Sequence, residues 1–315
     1  MNIFKTNQII LISLFCSSQY AYAGSISGNQ VSLDLLQLSR DSGKSTTYLY
    51  DNGGTVNNAA DDTPVGSTDT FNDTADLGYR LSGTIGLSNN WSINAGFSNN
   101  KMDVSSSFSD PSGRLEIFRN PVTSEFDSAH SVNSSYRSKI SGEEINGIYN
   151  FNNSLDFTVG FGHINLNERF KITSDDTGSV GIGTYVIHTD NNMLGVNAGI
   201  NYSAKSSNGF GVYFLGKLGW YDNKTKQSQQ LNDPSITRTN DGSDSASSML
   251  TEIRLGVNYS FTKEFIVNLG YQQMKVTNVA LAESQFNTTA LGSNAVAASD
   301  DIQWDGFNLG INYLF

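Results

Sequence analysis

The sequence predicts an all-β protein: a transmembrane up-and-down antiparallel β-barrel of about ten strands, within a range of roughly eight to twelve. Three observations lead there. Apolar side chains recur at every second position in segments about ten residues long. The connections between those segments are alternately short and long. After residues 1–23 no stretch reaches the ~20 consecutive apolar residues that a membrane helix needs.

Residues 1–23 read as an export signal and not as part of the fold. Lys5 supplies positive charge, Ile9–Phe15 a short apolar core, and Ala21-Tyr22-Ala23 the small-x-small cleavage pattern. Acylation at Cys16 is rejected, because Phe15 is too large for the position before a lipidated cysteine. Cleavage after Ala23 leaves residues 24–315 as a single barrel domain and removes the only cysteine, so disulfides, thiolate metal sites and cysteine nucleophiles are excluded. The net charge of −11 and the lack of basic clusters argue against nucleic acid. The 18 Phe, 14 Tyr and 3 Trp are too many for a disordered chain.

Each strand follows from its alternation. The first, VSLDLLQL at 31–38, starts with Val31, Leu33 and Leu35 on one face, and Leu36 and Leu38 then blur its register. Leu77, Tyr79, Leu81, Ile85 and Leu87 form the next row, and Trp91, Ile93, Ala95 and Phe97 another. The segment 136–149 is included although Glu143 falls on the same face as Ile145 and Tyr149, because an even strand count returns the chain to its starting side. Rows follow at Leu155–Phe161, Leu194–Tyr202, Phe210–Trp220, Ile253–Phe261 and Phe265–Tyr271. The last is GFNLGINYLF, with Phe307, Leu309, Ile311, Tyr313 and Phe315 on one face.

Short turns at 88–90, 150–154, 204–209 and 262–264 alternate with long polar stretches at roughly 49–73, 107–135, 173–190, 227–248 and 280–302. Tight periplasmic turns and long extracellular loops have that arrangement. A split of 107–135 around Leu115–Phe118 would raise the count to twelve. Lipid offers no hydrogen bonds, so a sheet crossing it must close on itself. The apolar rows then face lipid, and the Gly, Ser, Asn and scattered charge of the other face line a polar interior. Aromatic residues near the short turns, Trp91, Tyr149, Tyr202, Phe210, Tyr259, Phe265 and Tyr313 among them, mark one membrane interface, with Trp220 and Tyr271 toward the other.

Leu309, Ile311, Tyr313 and the terminal Phe315 resemble the C-terminal signature of bacterial outer membrane barrel proteins. That resemblance implies the bacterial outer membrane as location, recognition by the barrel assembly machinery, and contact with lipid and lipopolysaccharide. LDLLQLSRD, the strands flanking SNNW and the closing WDGFNLGINYLF are similar to a family of pore-forming major outer membrane proteins, which implies a porin-like channel.

Asp34, Arg80, Asp156, Lys217, Glu252 and Arg254 fall on the inward face. Such mixed charge either orders water in an ion-selective lining or forms a static network that plugs the lumen. The first gives a narrow channel for ions or small polar solutes. The second gives a non-conducting surface barrel whose long loops serve adhesion, host contact or packing.

Enzyme readings are weaker. His188 with Asp190 invites comparison with omptin-type proteases, ten-stranded barrels with an Asp-His pair, but the order is reversed and no acidic dyad faces it. His130-Ser131 with Asn133 has the residue types of outer membrane phospholipases, yet adjacent strand residues point to opposite faces. His163 has no evident partner. Asp51, Asp61, Asp62, Asp69 and Asp73 crowd the first loop without the spacing of a calcium loop. No cofactor, metal site or catalytic residue is assigned.

Overall fold

The computed structural model describes residues 29–51, 53, 62–71, 75–117, 129–176, 183–206, 208–232, 237–286 and 296–315. The export signal with Cys16, and Asp61, Asp73 and Phe118, lie outside the described residues.

The described chain forms β1 (Gln30–Asp41), β2 (Thr47–Asp51), β3 (Thr63–Ser67), β4 (Ala75–Gly86), β5 (Trp91–Ser109), β6 (Leu115–Glu116), β7 (Ala129–Asn152), β8 (Leu155–Asp176), β9 (Gly183–Lys205), β10 (Phe210–Asn232), β11 (Thr237–Ser260), β12 (Phe265–Val279) and β13 (Asp300–Leu314), with one 3-10 turn at Thr68–Phe71. Ten of these strands close into an antiparallel barrel in the order β1-β4-β5-β7-β8-β9-β10-β11-β12-β13. The first and last strands seal it, pairing from Gln30 opposite Leu314 to Asp41 opposite Gln303. The segment at Leu115 adds no transmembrane pair: β6 joins β2 and the end of β7 above the barrel.

Alternation sorts the two faces as hydrocarbon demands. Val31, Leu33 and Leu35 of β1 face outward beside Tyr313, Ile311 and Leu309 of β13. Val159, Phe161, Leu194, Phe265 and Leu269 are among the large apolar side chains left exposed on this belt. Aromatic pairs rim it below, Trp91 with Tyr149 at 5.0 Å and Phe265 with Tyr313 at 4.9 Å between ring centres. Above stand Tyr79 with Phe97 and Tyr271 with Phe307. From Phe210 to Trp220, at about 3.4 Å per residue and a tilt of about 40°, the strand rises about 25 Å, the height of an outer membrane apolar band.

Two sequence expectations change here. Leu36 and Leu38 do not blur the register of β1: each is 2% exposed and points into the barrel, between outward Leu35, Gln37 and Ser39. The stretches 173–190 and 227–248 are largely wall and not loop, because β8 to β11 continue to Asp176, Gly183, Asn232 and Thr237. Polar outward rows keep these extensions wet outside while Phe170, Ile172, Tyr185, Ile187 and Leu231 bury their side chains inside. Past Trp220, β10 climbs about 30 Å further by the same geometry. The wall is tall over β5 and β7–β11 and low over β12, β13, β1 and β4.

Close strand approach explains some of the glycines. The ring of Tyr213 lies across Gly256 and Gly270, where an added Cβ would collide with it and with the backbone of Leu255 or Leu269. Tyr221 lies likewise over Gly162 and Gly219. Large inward side chains fit a narrow barrel only where the neighbouring strands have none.

Candidate functional site

The inside of the barrel is built in layers, and successive inward positions of β1 climb through them: Asp34, Leu36, Leu38, Arg40. At the level of Asp34, Arg80 Nη1 donates to Asp34 Oδ2 at 3.3 Å, and its other nitrogen bonds Gln272. Glu252, 2% exposed, is the hub of this layer. It receives Arg254 at 2.5 Å and Lys217 at 2.7 Å, with Arg80 at 3.9 Å. Lys217 also reaches Glu144 at 2.9 Å.

Five of the six residues expected on the inward face thus meet in one network: Asp34, Arg80, Lys217, Glu252 and Arg254. Asp156 is inward and 3% exposed but sits lower, across from Asn150 and Asn201. Glu144 was missed. Its signal was its parity, since it lies one residue from outward Ile145 and therefore faces in. Outward Glu143 closes the same account: its carboxylate lies 3.9 Å from His163 Nδ1, the partner His163 was not expected to have.

Above the charges the interior is apolar, against the expectation of a polar lining. Leu36, Leu38, Ile140, Ile164, Leu166, Met193, Tyr221, Leu250, Val276, Ile302 and Trp304 form one buried cluster. They come from β1, β7, β8, β9, β10, β11, β12 and β13, and Val279 and Leu281 of the segment described next complete the cluster across the lumen. The void left between it and the charged layer measures about 60 Å³, room for a few waters.

Next comes a segment no alternation revealed. At the end of β12 a bulge between Val276 and Val279, with Asn278 at φ 55°, turns the chain off the sheet. Residues 279–286 then run through the inside of the barrel, with Val279, Ala280, Leu281, Ala282 and Glu283 wholly buried. The walls hold this inserted backbone by side-chain amides. Asn191 both donates to Ala280 O at 2.8 Å and accepts from Ala280 N at 2.7 Å, and Gln229 Nε2 donates to Gln285 O at 3.0 Å.

Arg40 locks the segment. Its Nε donates to Glu168 Oε1 at 3.1 Å and its Nη2 to Glu283 Oε1 at 3.0 Å and Tyr136 Oη at 2.9 Å, and its guanidinium stacks 4.7 Å from the Tyr136 ring. Tyr136 Oη and Ala282 N both donate to Glu168 Oε2. Burial raises the Glu283 carboxyl despite Arg40, and raises the Tyr136 hydroxyl. Over this layer a second apolar cluster, including Tyr48, Phe71, Phe170, Tyr185 and Phe286, caps the interior with contributions from the first and last loops.

The enzyme candidates do not assemble. His188 and Asp190 both lie on the outer face of β9, across from Arg169 and Asn167 of β8. Asp190 accepts from Asn165 at 2.8 Å, and the His188 imidazole is lowered by burial and by Arg169. His130 packs on the Gly113 turn, while Ser131 N bonds Asp175 at 2.5 Å. Asp51 pairs with Arg114 at 3.2 Å, and among the described residues no group of three or more His, Cys, Asp or Glu is placed to hold a metal.

No known protein family matches the chain, and no curated protein matches it. Solved structures do. The outer membrane protease OmpT of Escherichia coli is 10% identical with a TM-score of 0.50 and 95% of this chain covered against 99% of that one. This chain has the fold of bacterial outer membrane barrels. The translocator domain of the autotransporter NalP from Neisseria meningitidis (10% identity, TM-score 0.42, 99% and 95% covered) and the toluene transporter TodX of P. putida (12%, 0.40, 91% and 90%) are further matches. At such identities the likeness concerns the fold alone. None of these matches supports the similarity to the pore-forming major outer membrane proteins.

Proposed function

We propose that the protein is a closed outer membrane barrel that acts by contact at the cell surface and passes no solute. The observation that carries this reading is the lock on the inserted segment, where Arg40 binds Glu168 of the wall and Glu283 of the insert with all three side chains shielded from solvent. Beneath it, an apolar layer and an ion-paired layer each cross the lumen. The narrow-channel reading draws on Asp34, Arg80, Asp156, Lys217, Glu252 and Arg254, but five of these are bound in the paired layer and leave no charge free to select ions. What remains for function is the outer surface: the apolar belt that fixes the barrel in lipid, and above it the tall wall of β5 and β7–β11.

Planar-bilayer recording of the purified, folded protein tests the closed lumen, with no steady conductance expected. Attachment of cells carrying the intact barrel is then compared with that of cells whose barrel lacks residues 223–246, the tops of β10 and β11. Shortening should reduce attachment. Steady single-channel steps would overturn the reading, as would attachment indifferent to the shortened wall.

A further inference from the structure

We infer that the outer wall of β5, β7 and β8, just above the apolar belt, is a seat for the phosphorylated headgroup of an outer-leaflet lipid. The inference rests on the outer membrane reading above and gives the contact surface one partner.

Like charges face each other on this wall. Lys101 of β5 stands directly across from Lys139 of β7, and Arg137 of β7 directly across from Arg169 of β8. Lys171 continues the same face of β8 one outward position higher. Like charges opposite one another destabilise a sheet unless something between them is negative. Asp103 supplies part of that, pairing with Lys101 and, at 2.5 Å, with Arg137. Lys139, Arg169 and Lys171 make no ion pair among the described residues. In a chain of net charge −11 this cluster is not a by-product of composition. Along β10, by contrast, Lys226 stands directly across from Asp190 of β9, and Lys224 lies between Lys226 and Asp222 on the same outward row.

The surface beneath is shaped for acyl chains. Phe161, Leu194 and Val159 are 66%, 63% and 62% exposed, among the most open side chains of the belt. Between Ile145 and Tyr149 the outward position of β7 is Gly147, whose missing side chain would meet nothing nearer than Val159 O at 3.7 Å. This leaves a furrow in the belt below the cations. Lys101 stands about 10 Å above Phe97 at the strand geometry used above, so its side chain, like that of Lys139 beside it, reaches down to headgroup depth, while Arg169 and Lys171 stand about 21 and 26 Å above Phe161 on β8 and act on the phosphates from farther out. A molecule with phosphates above and hydrocarbon below satisfies both halves, which a free anion cannot.

The test titrates the folded full-length protein in detergent with bisphosphorylated lipid A, with the same lipid after dephosphorylation, and with inorganic phosphate. Binding is read by native mass spectrometry. The variant carries Lys139→Gln, Arg169→Gln and Lys171→Gln, and a control carries Lys224→Gln and Lys226→Gln on β10. Phosphorylated lipid A should bind the parent and the control alike. It should bind the triple variant about tenfold more weakly, with Lys139 at headgroup depth contributing most and Arg169 and Lys171, higher on the wall, less. Equal binding of the dephosphorylated lipid, an unchanged triple variant, or inorganic phosphate competing at the lipid's own concentration would overturn the seat. A chain that fractionates away from the outer membrane would overturn the parent reading, a result the lipid titration does not mimic.

Discussion

Arg40 and Glu168 meet at 3.1 Å with neither side chain touching solvent, one from the shortest part of the wall and the other from its tallest. The pair therefore ties opposite sides of the barrel through its interior and holds the inserted segment between them. Arg40→Ala would leave two carboxylates in a dry interior without a cation. Removing one partner of such a pair costs about 3–5 kcal/mol. The expected result is unfolding at lower temperature, read from the heat-induced mobility shift in detergent gels, and cleavage within residues 279–286 by added protease. A second variant, Arg40→Met with Glu168→Gln and Glu283→Gln, should recover much of the loss, because it removes the stranded charges.

The pH dependence of the insert follows from Glu283. Burial holds its carboxyl above the ordinary value, against the pull of Arg40. Between the unfolded value of about 4.3 and the raised one, the inserted state binds more protons than the released one, so its stability rises as pH falls through that interval and levels off below it. Tyr136 does not titrate there, since burial shifts its hydroxyl upward. Protease release of the segment should accordingly slow as the medium is acidified from pH 8 toward 5. Glu283→Gln should flatten that profile, and a profile unaffected by the substitution would refute the assignment.

Tyr213 gives a packing test far from any charge. Its ring fills the space above Gly270, where a new side chain would also press on Leu255 O and Asn308 Oδ1 at 2.7 and 2.8 Å. Gly270→Val should cost about 1–3 kcal/mol by overpacking and lower the yield of folded barrel. Tyr213→Ala with Gly270→Val should restore folding if the ring is the obstacle, and fail to restore it if the strand backbone is.

How far the sequence could be read follows from what period two can report. The belt was legible because lipid enforces alternation, and all ten barrel strands overlap segments named from it. The inward charges were legible by parity, as were their strands. Leu36 and Leu38 were misread as noise in the outer row because a wet interior was assumed, whereas they are the regular inward residues of a dry layer. The upper wall was hidden for a different reason: water on its outside lets Ser, Thr, Asn and Lys occupy outward positions, so 173–190 and 227–248 look like loop. The insert at 279–286 has no period at all. Its hint was compositional, since VALAESQF is too apolar for a surface loop.

Two independent seals predict an interaction between mutations. Replacing residues 279–299 with a short Gly-Ser linker removes the upper seal and takes Val279 and Leu281 out of the apolar cluster, which opens that layer too, but the layer of Arg80, Lys217, Glu252 and Arg254 still crosses the lumen, so bilayers should stay silent. Arg80→Ala, Glu252→Ala and Arg254→Ala together remove the lower ion pairs, yet the insert and the apolar cluster above remain, and silence is again expected. Only the combined variant should show steady current steps. Its current should also favour cations: the three substitutions remove two positive charges and one negative, leaving Lys217, Asp34 and Glu144 on the lumen face with an excess of negative charge. Current from the linker variant alone would place the whole barrier in the insert and reduce the charged layer to a wet ring.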